Sequence, residues 1–149
     1  MKIGIVVLGL FLSLIFYNFL IAQKALKEQR TSVFRVENIS YPESVSLGSS
    51  GSFNWQIVAP AGLSSSFTTI FWDYESTPSA LTESDSPQAV GYPNHPPDYE
   101  TGEFPLPLDF QVAITPDRIG KVYFRSYALV QGRHLWSEES SFTVVPNGQ

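Results

Sequence analysis

The chain has 149 residues, a net charge of −5 and no cysteine, which excludes disulfides, thiolate nucleophiles and cysteine lipidation. Four of its nine basic residues, Lys2, Lys24, Lys27 and Arg30, flank an apolar run. Residues 31–149 therefore keep five basic side chains against thirteen acidic ones, about −8. A domain so charged lacks the Lys and Arg that displace phosphate counterions, which excludes nucleic acid as a partner.

The apolar run comes first. Twenty residues from Ile3 to Ala22 contain no charged side chain, about what a helix needs to cross a hydrocarbon core of about 30 Å. A secretory signal has a shorter apolar region and a small-x-small cleavage site, whereas Leu20-Ile21-Ala22 offers leucine at the first small position. A pilin-type leader, cut so that Gly4 precedes an apolar helix, is the other rival. Gly9 stands where bacterial pilins carry a glutamate. The retained anchor is the expectation: residues 1–30 as transmembrane helix and polar neck, with residues 3–22 in the bilayer. Lysine placement alone would turn the neck toward the cytoplasm, but the Ser/Thr/Tyr-rich domain reads as an extracytoplasmic one. Gly9 and Ser13 share a helical face and Asn18 is polar at membrane depth, so helix pairing into a homo-oligomer is a further candidate. Ala22 to Arg30 has good helix formers and extends the helix as a stalk.

From Thr31 the period becomes alternating. Ser32–Ile39 is strand-rich and ends at Tyr41-Pro42. Phe53, Trp55 and Ile57 alternate with Asn54 and Gln56, and Pro60-Ala61-Gly62 closes that strand. Ile70, Trp72 and Tyr74 oppose Thr69, Phe71 and Asp73 in the next. Leu108, Phe110, Val112 and Ile114 form one face of another. Lys121–Val130 follows the turn at Asp117–Gly120, and Ser140–Val145 is last. Alternating strands between Gly/Pro turns, with no long amphipathic helix, predict an all-β antiparallel sandwich.

Two stretches carry a family resemblance. Gly120-Lys121-Val122-Tyr123-Phe124-Arg125-Ser126-Tyr127-Ala128, then Gly132, Trp136-Ser137-Glu138-Glu139 and Phe142-Thr143-Val144, resembles the end of a fibronectin type III domain. Phe53–Pro60 looks like that family's second strand, with its core tryptophan. The resemblance spans about Val33 to Pro146. It implies a seven-stranded immunoglobulin-like sandwich, used as spacer, adhesion module or ligand platform, with no catalytic residues. It departs from the family at Val122, where a core tyrosine is common, and in the length of the middle segment.

That segment, about 75–107, holds seven prolines and no Lys or Arg. Loops beyond about 12–15 residues are usually functional or disordered. Three roles fit it: a cover over one sheet, a partner contact, or a spacer. Its acids lack the spacing of a calcium loop, His95 and His134 are too few for zinc, and no Gly-x-Ser-x-Gly elbow is present. No metal, cofactor or enzymatic activity is expected. Exposed aromatics are the better lead. With Val122, Phe124, Ser126 and Ala128 inward, Tyr123, Arg125, Tyr127 and Leu129 face outward. Trp72, Tyr74, Tyr92, Tyr99, Tyr123, Arg125 and Tyr127 are the candidate partner-binding residues, for a protein or a glycan, unless the long segment buries them. Asn38-Ile39-Ser40 matches the N-glycosylation pattern.

The expected molecule is a single-pass membrane protein presenting a non-enzymatic sandwich outside the cell for binding, adhesion or envelope structure. The alternatives are a pilin-like filament subunit whose helix is assembly core, and a carbohydrate-binding accessory module.

Overall fold

The computed structural model describes residues 16–23 and 34–148. Residues 16–23 form a helix, α1, with exposed side chains throughout. The rest of the apolar run, Gly9 and Ser13 included, and the neck from Lys24 lie outside the described residues. Among the described residues, no helix is long and apolar enough to cross a membrane.

Residues from Phe34 onward form a separate compact unit. Its strands are β1 (Arg35–Ser40), β2 (Ser44–Ser46), β3 (Gly51–Val58), β4 (Ser64–Asp73), β5 (Phe104–Pro105), β6 (Leu108–Ile114), β7 (Gly120–Val130), β8 (Arg133–Trp136) and β9 (Ser140–Val145). One short helix, α2 (Pro87–Val90), interrupts them. They make two sheets. The smaller has the order β1-β3-β6; the larger has β2-β9-β7-β4-β5, with β8 also on β7. The chain is thus mostly β and folded into two sheets, as its alternation predicts. Strand number and direction differ from the expectation of seven antiparallel strands. Nine strands lie among the described residues, and β2 runs parallel to β9. The extra strands arise where Tyr41-Pro42 splits β2 from β1, where Gln131 and Gly132, at φ 51° and 75°, turn β7 into β8, and where the middle segment lends β5 to the edge of β4.

The core between the sheets has Trp55 at its centre. Phe53, Trp55 and Ile57 are fully buried, as alternation on β3 requires. Trp55 stacks on Phe110 with ring centroids 5.5 Å apart. Its indole N–H donates to Thr68 Oγ at 2.9 Å, and that hydroxyl donates to the Tyr127 carbonyl at 2.6 Å. A buried indole without an acceptor would lose about 1–3 kcal/mol, so Thr68 is the reason a tryptophan is tolerated here. Leu108, expected beside Phe110, is instead 41% exposed, because it lies at the first residue of β6.

The larger sheet is buried on both faces. Val122, Phe124, Ala128 and Val130 of β7 point into the main core. On the other side Phe71 and Tyr127 form a second core with Tyr92, flanked by Phe67, Val90, Leu129 and Trp136. The middle segment supplies its cover. Farther along, that segment runs beside β4. The Trp72 N–H donates to the Asn94 carbonyl at 2.9 Å and the Thr68 N–H to the Tyr99 carbonyl at 3.1 Å. An edge that would otherwise offer unpaired backbone groups is sealed.

Trp55→Phe is expected to destabilise the fold by about 1–3 kcal/mol, from lost volume and the orphaned Thr68 acceptor. Urea denaturation checks this: the midpoint falls and the slope stays constant. An unchanged midpoint would contradict the central role of Trp55.

Candidate functional site

The seven candidate partner-binding residues separate into three environments. The first is the second core. Arg125 is 3% exposed, Tyr127 1% and Tyr92 7%, so these three are enclosed rather than presented to a partner. The alternation on β7 does turn Arg125 and Tyr127 away from the main core. Residues 76–92 then lie across that face, which corrects the expectation of an exposed aromatic platform there.

What holds the cover down is polar. Arg125 donates from Nη1 to the Ser137 carbonyl at 2.9 Å, and from Nη2 to the carbonyls of Thr77 at 2.9 Å and Ser79 at 3.1 Å. Glu139 accepts from Ser76 Oγ at 2.5 Å, from Thr77 N–H at 2.6 Å and from the Tyr92 hydroxyl at 2.8 Å. Two side chains of the sandwich thereby grip four residues of the covering segment. Trp136 adds an indole bond to the Asp85 carbonyl at 2.8 Å, and the His134 N–H bonds the Glu83 carbonyl at 3.1 Å. Burial works against the Glu139 charge, but the Ser76, Tyr92 and Thr77 donors and the Arg125 charge outweigh it and hold the carboxyl below its usual range. Burial, reinforced by the bond to Glu139, pushes the Tyr92 phenol up to about 12. Burial also takes Tyr127 to about 12; its hydroxyl lies 2.6 Å from His134 Nδ1.

The second environment is the side of the sandwich closed by Tyr99. This half-buried ring packs edge-on against Trp55 and Phe110, and its hydroxyl donates to the Gln111 carbonyl at 3.3 Å. Tyr99 holds a positive φ of 59°, a conformation uncommon for a non-glycine residue. Tyr99 is a plug between the sheets, not a free ring.

The third environment is open. Trp72 and Tyr74 lie half-buried at the end of β4, edge to face at 5.9 Å. Tyr74 is fixed by its hydroxyl to Asp117 and the Arg118 carbonyl, with the Arg118 guanidinium 3.9 Å above its ring. Tyr123, paired with Asp73 on the neighbouring strand, shares this end of the sheet but turns to its outer face, where the Lys121 ammonium lies 5.2 Å from its ring. Beside Trp72 opens a groove of about 450 Å³, walled by Pro93, Pro96 and Pro97 on one side and by Ala113–Thr115 on the other. That volume is at the small end of the range for ligand sites. Asp98 is its only fixed charge. The proline cluster and Trp72 were each visible in the sequence. Their meeting with the end of β6 was not, because it depends on the path of the middle segment.

A second depression, of about 390 Å³, lies over Asn38, Tyr41 and Ser140. The Asn38 amide donates to Ser140 Oγ and accepts from Ser126 Oγ. The glycosylation pattern thus falls on a side chain that joins the two sheets. Among the described residues no group of three or more His, Cys, Asp or Glu is placed to hold a metal. No protein-family model matches the chain, and no curated protein matches it significantly.

Arg125→Met leaves the buried Ser137 carbonyl and the carbonyls of Thr77 and Ser79 without this donor, at an expected cost of about 1–3 kcal/mol for a buried group left unpaired. Hydrogen exchange checks the mechanism: protection falls first in residues 76–92 and not in β3. Equal loss in both would contradict a local clamp. At alkaline pH the unfolded tyrosines ionise near 10 while folded Tyr92 and Tyr127 resist until about 12. Their contribution is therefore complete below pH 10 and is lost as pH rises toward 12. Denaturation midpoints across that window should fall, and fall less steeply in Tyr127→Phe; a flat wild-type profile would contradict the assignment.

Proposed function

We propose that the chain is a membrane-anchored surface protein whose fibronectin type III-like or immunoglobulin-like domain binds a partner without catalysing a reaction. The apolar run 3–22 supports the anchor, and the exposed apolar side chains of Phe16, Phe19 and Leu20 in α1 suit a lipid environment. The strand order supports the family. With β1, β3, β4, β6, β7 and β9 taken as strands A, B, C, E, F and G, one sheet contains A-B-E and the other C-F-G, as in immunoglobulin-like sandwiches.

The single observation that carries the binding role is where the groove lies. Strand β1 begins opposite Val58, at the end of β3, so the chain enters the sandwich at that end. Trp72 and Ala113–Thr115 lie at the other, where β3 starts opposite Ile114 and β7 starts near Asp73. The groove therefore opens at the end of the sandwich opposite the start of β1. The non-enzymatic reading rests on the histidines: His134 is engaged by Tyr127, and His95 by Glu100 at 2.9 Å.

In intact cells producing the full chain, external protease is expected to digest the domain while an anchored fragment stays in the membrane pellet after alkaline carbonate. A domain protected until lysis, or a chain extracted by carbonate, would overturn this reading.

A further inference from the structure

Strand β6 is the edge of the smaller sheet, and it is the one long edge that nothing regular covers among the described residues. The other edges are managed. Strand β1 breaks register between Asn38 and Ser40, β2 has three residues, and the outer side of β4 is occupied by Asn94, Tyr99 and β5. By contrast β6 keeps seven residues in unbroken register with β3. A regular edge of that kind is a template for another strand.

Its accessible part can be located. The Gln111 carbonyl accepts from the Tyr99 hydroxyl, which comes from the segment beside β4 rather than from β3. In an antiparallel strand a residue's N–H and C=O point the same way, and alternate residues repeat the direction. Ala113, two residues on, repeats the direction of Gln111 and lines the groove. The facing wall is Pro93, Pro96 and Pro97, which have no N–H to offer, and the Asn94 amide is spent on the Trp72 carbonyl at 3.3 Å. His95 and Thr115 also line the groove, but His95 is engaged by Glu100 and Thr115 Oγ1 by Ser50, so the Asp98 carboxylate is its one fixed charge, beside the Ala113 backbone and an apolar surface from Trp72 and Ile114.

From this we infer that the groove binds an extended segment of a partner protein, which adds as a short strand to β6 at Ala113 and sets a lysine or arginine against Asp98. A glycan is disfavoured because its hydroxyls call for several free side-chain amides and carboxylates, and the groove has one. The charge argues in the same direction, since the middle segment carries six acids and no Lys or Arg. The inference deepens the binding role proposed above and rests on it. Strand addition takes its affinity from the main chain and its selectivity from side-chain pockets.

The test is selection of a phage-displayed random heptapeptide library on the immobilised full-length chain, with Ala113→Pro as counter-target. Proline removes the Ala113 N–H, and a melting curve confirms that the variant folds. Asp98→Lys is a second variant that leaves the backbone untouched. Enriched peptides are expected to carry Lys or Arg, to lose binding when N-methylated at alternate amides, and to bind Asp98→Lys several-fold more weakly. Overturning results are an enriched pool that binds wild type and Ala113→Pro equally, peptides indifferent to N-methylation, or no enrichment. Self-association of the wild type that Ala113→Pro abolishes would assign the edge to a second copy, and would also overturn the proposal. Each leaves the cell-surface result standing on its own, so the two failures are distinguishable.

Discussion

Strands β4 and β7 carry large apolar side chains on both faces, and the rest of the architecture follows from the need to bury the second face. A two-layer sandwich covers one. Fully burying a side chain such as Phe is worth about 1.5–3 kcal/mol. Leaving Phe71, Tyr127 and Trp136 in water would forgo several such contributions on a domain whose net stability is about 5–15 kcal/mol. The middle segment resolves this by acting as a third, irregular layer. Its Tyr92 and Val90 complete the second core, and Ser86 caps the short helix α2 that presents them.

An irregular layer has a difficulty that a sheet or helix avoids: its backbone carbonyls and N–H groups need partners. Arg125 and Glu139 meet that need. A guanidinium in a buried position is costly by several kcal/mol, and this one is offset by three carbonyls and by the nearby Glu139 charge. Arg125 suits the task better than lysine would, because its planar fork reaches Ser137 on one side and Thr77 and Ser79 on the other at once. The resemblance to fibronectin type III marks this arginine near the chain's end, and here it fastens the middle segment. The same geometry explains why Arg125 is not a partner contact despite its outward direction.

How far the sequence could be read follows the range of each interaction. Alternation is local, so Phe53-Trp55-Ile57 and Val122-Phe124-Ala128 were assigned to the inner face by spacing alone. The seven prolines and missing Lys and Arg of residues 75–107 mark an unusual segment, and the outward aromatics on β7 mark a face in need of cover. Its docking was not legible. The contacts of Thr77 with Glu139, and of Asn94 with Trp72, join residues far apart in the chain through backbone atoms that have no residue code. Strand count failed for a related reason: β5 and β8 are short and exist only because a neighbour offers an edge. Leu108 is exposed at the start of β6, because alternation says which face a residue occupies and not where the strand begins. For residues 3–22 apolarity speaks to membrane affinity, a property of composition that no contact in the sandwich tests.

The route of the insertion also decides which surface remains open. Having crossed the outer face, residues 93–107 return along β4 and close that edge, ending in β5. The other sheet gains no equivalent strand. Tyr99 and Phe104 reach across to Phe110 of β6, and the Tyr99 hydroxyl bonds the Gln111 carbonyl. Beyond that point the proline-rich wall stands off from β6 and the groove opens. Covering the aromatic face and exposing the β6 edge are thus two results of one chain path: a segment short enough to seal β4 has no residues left to pair with the other sheet.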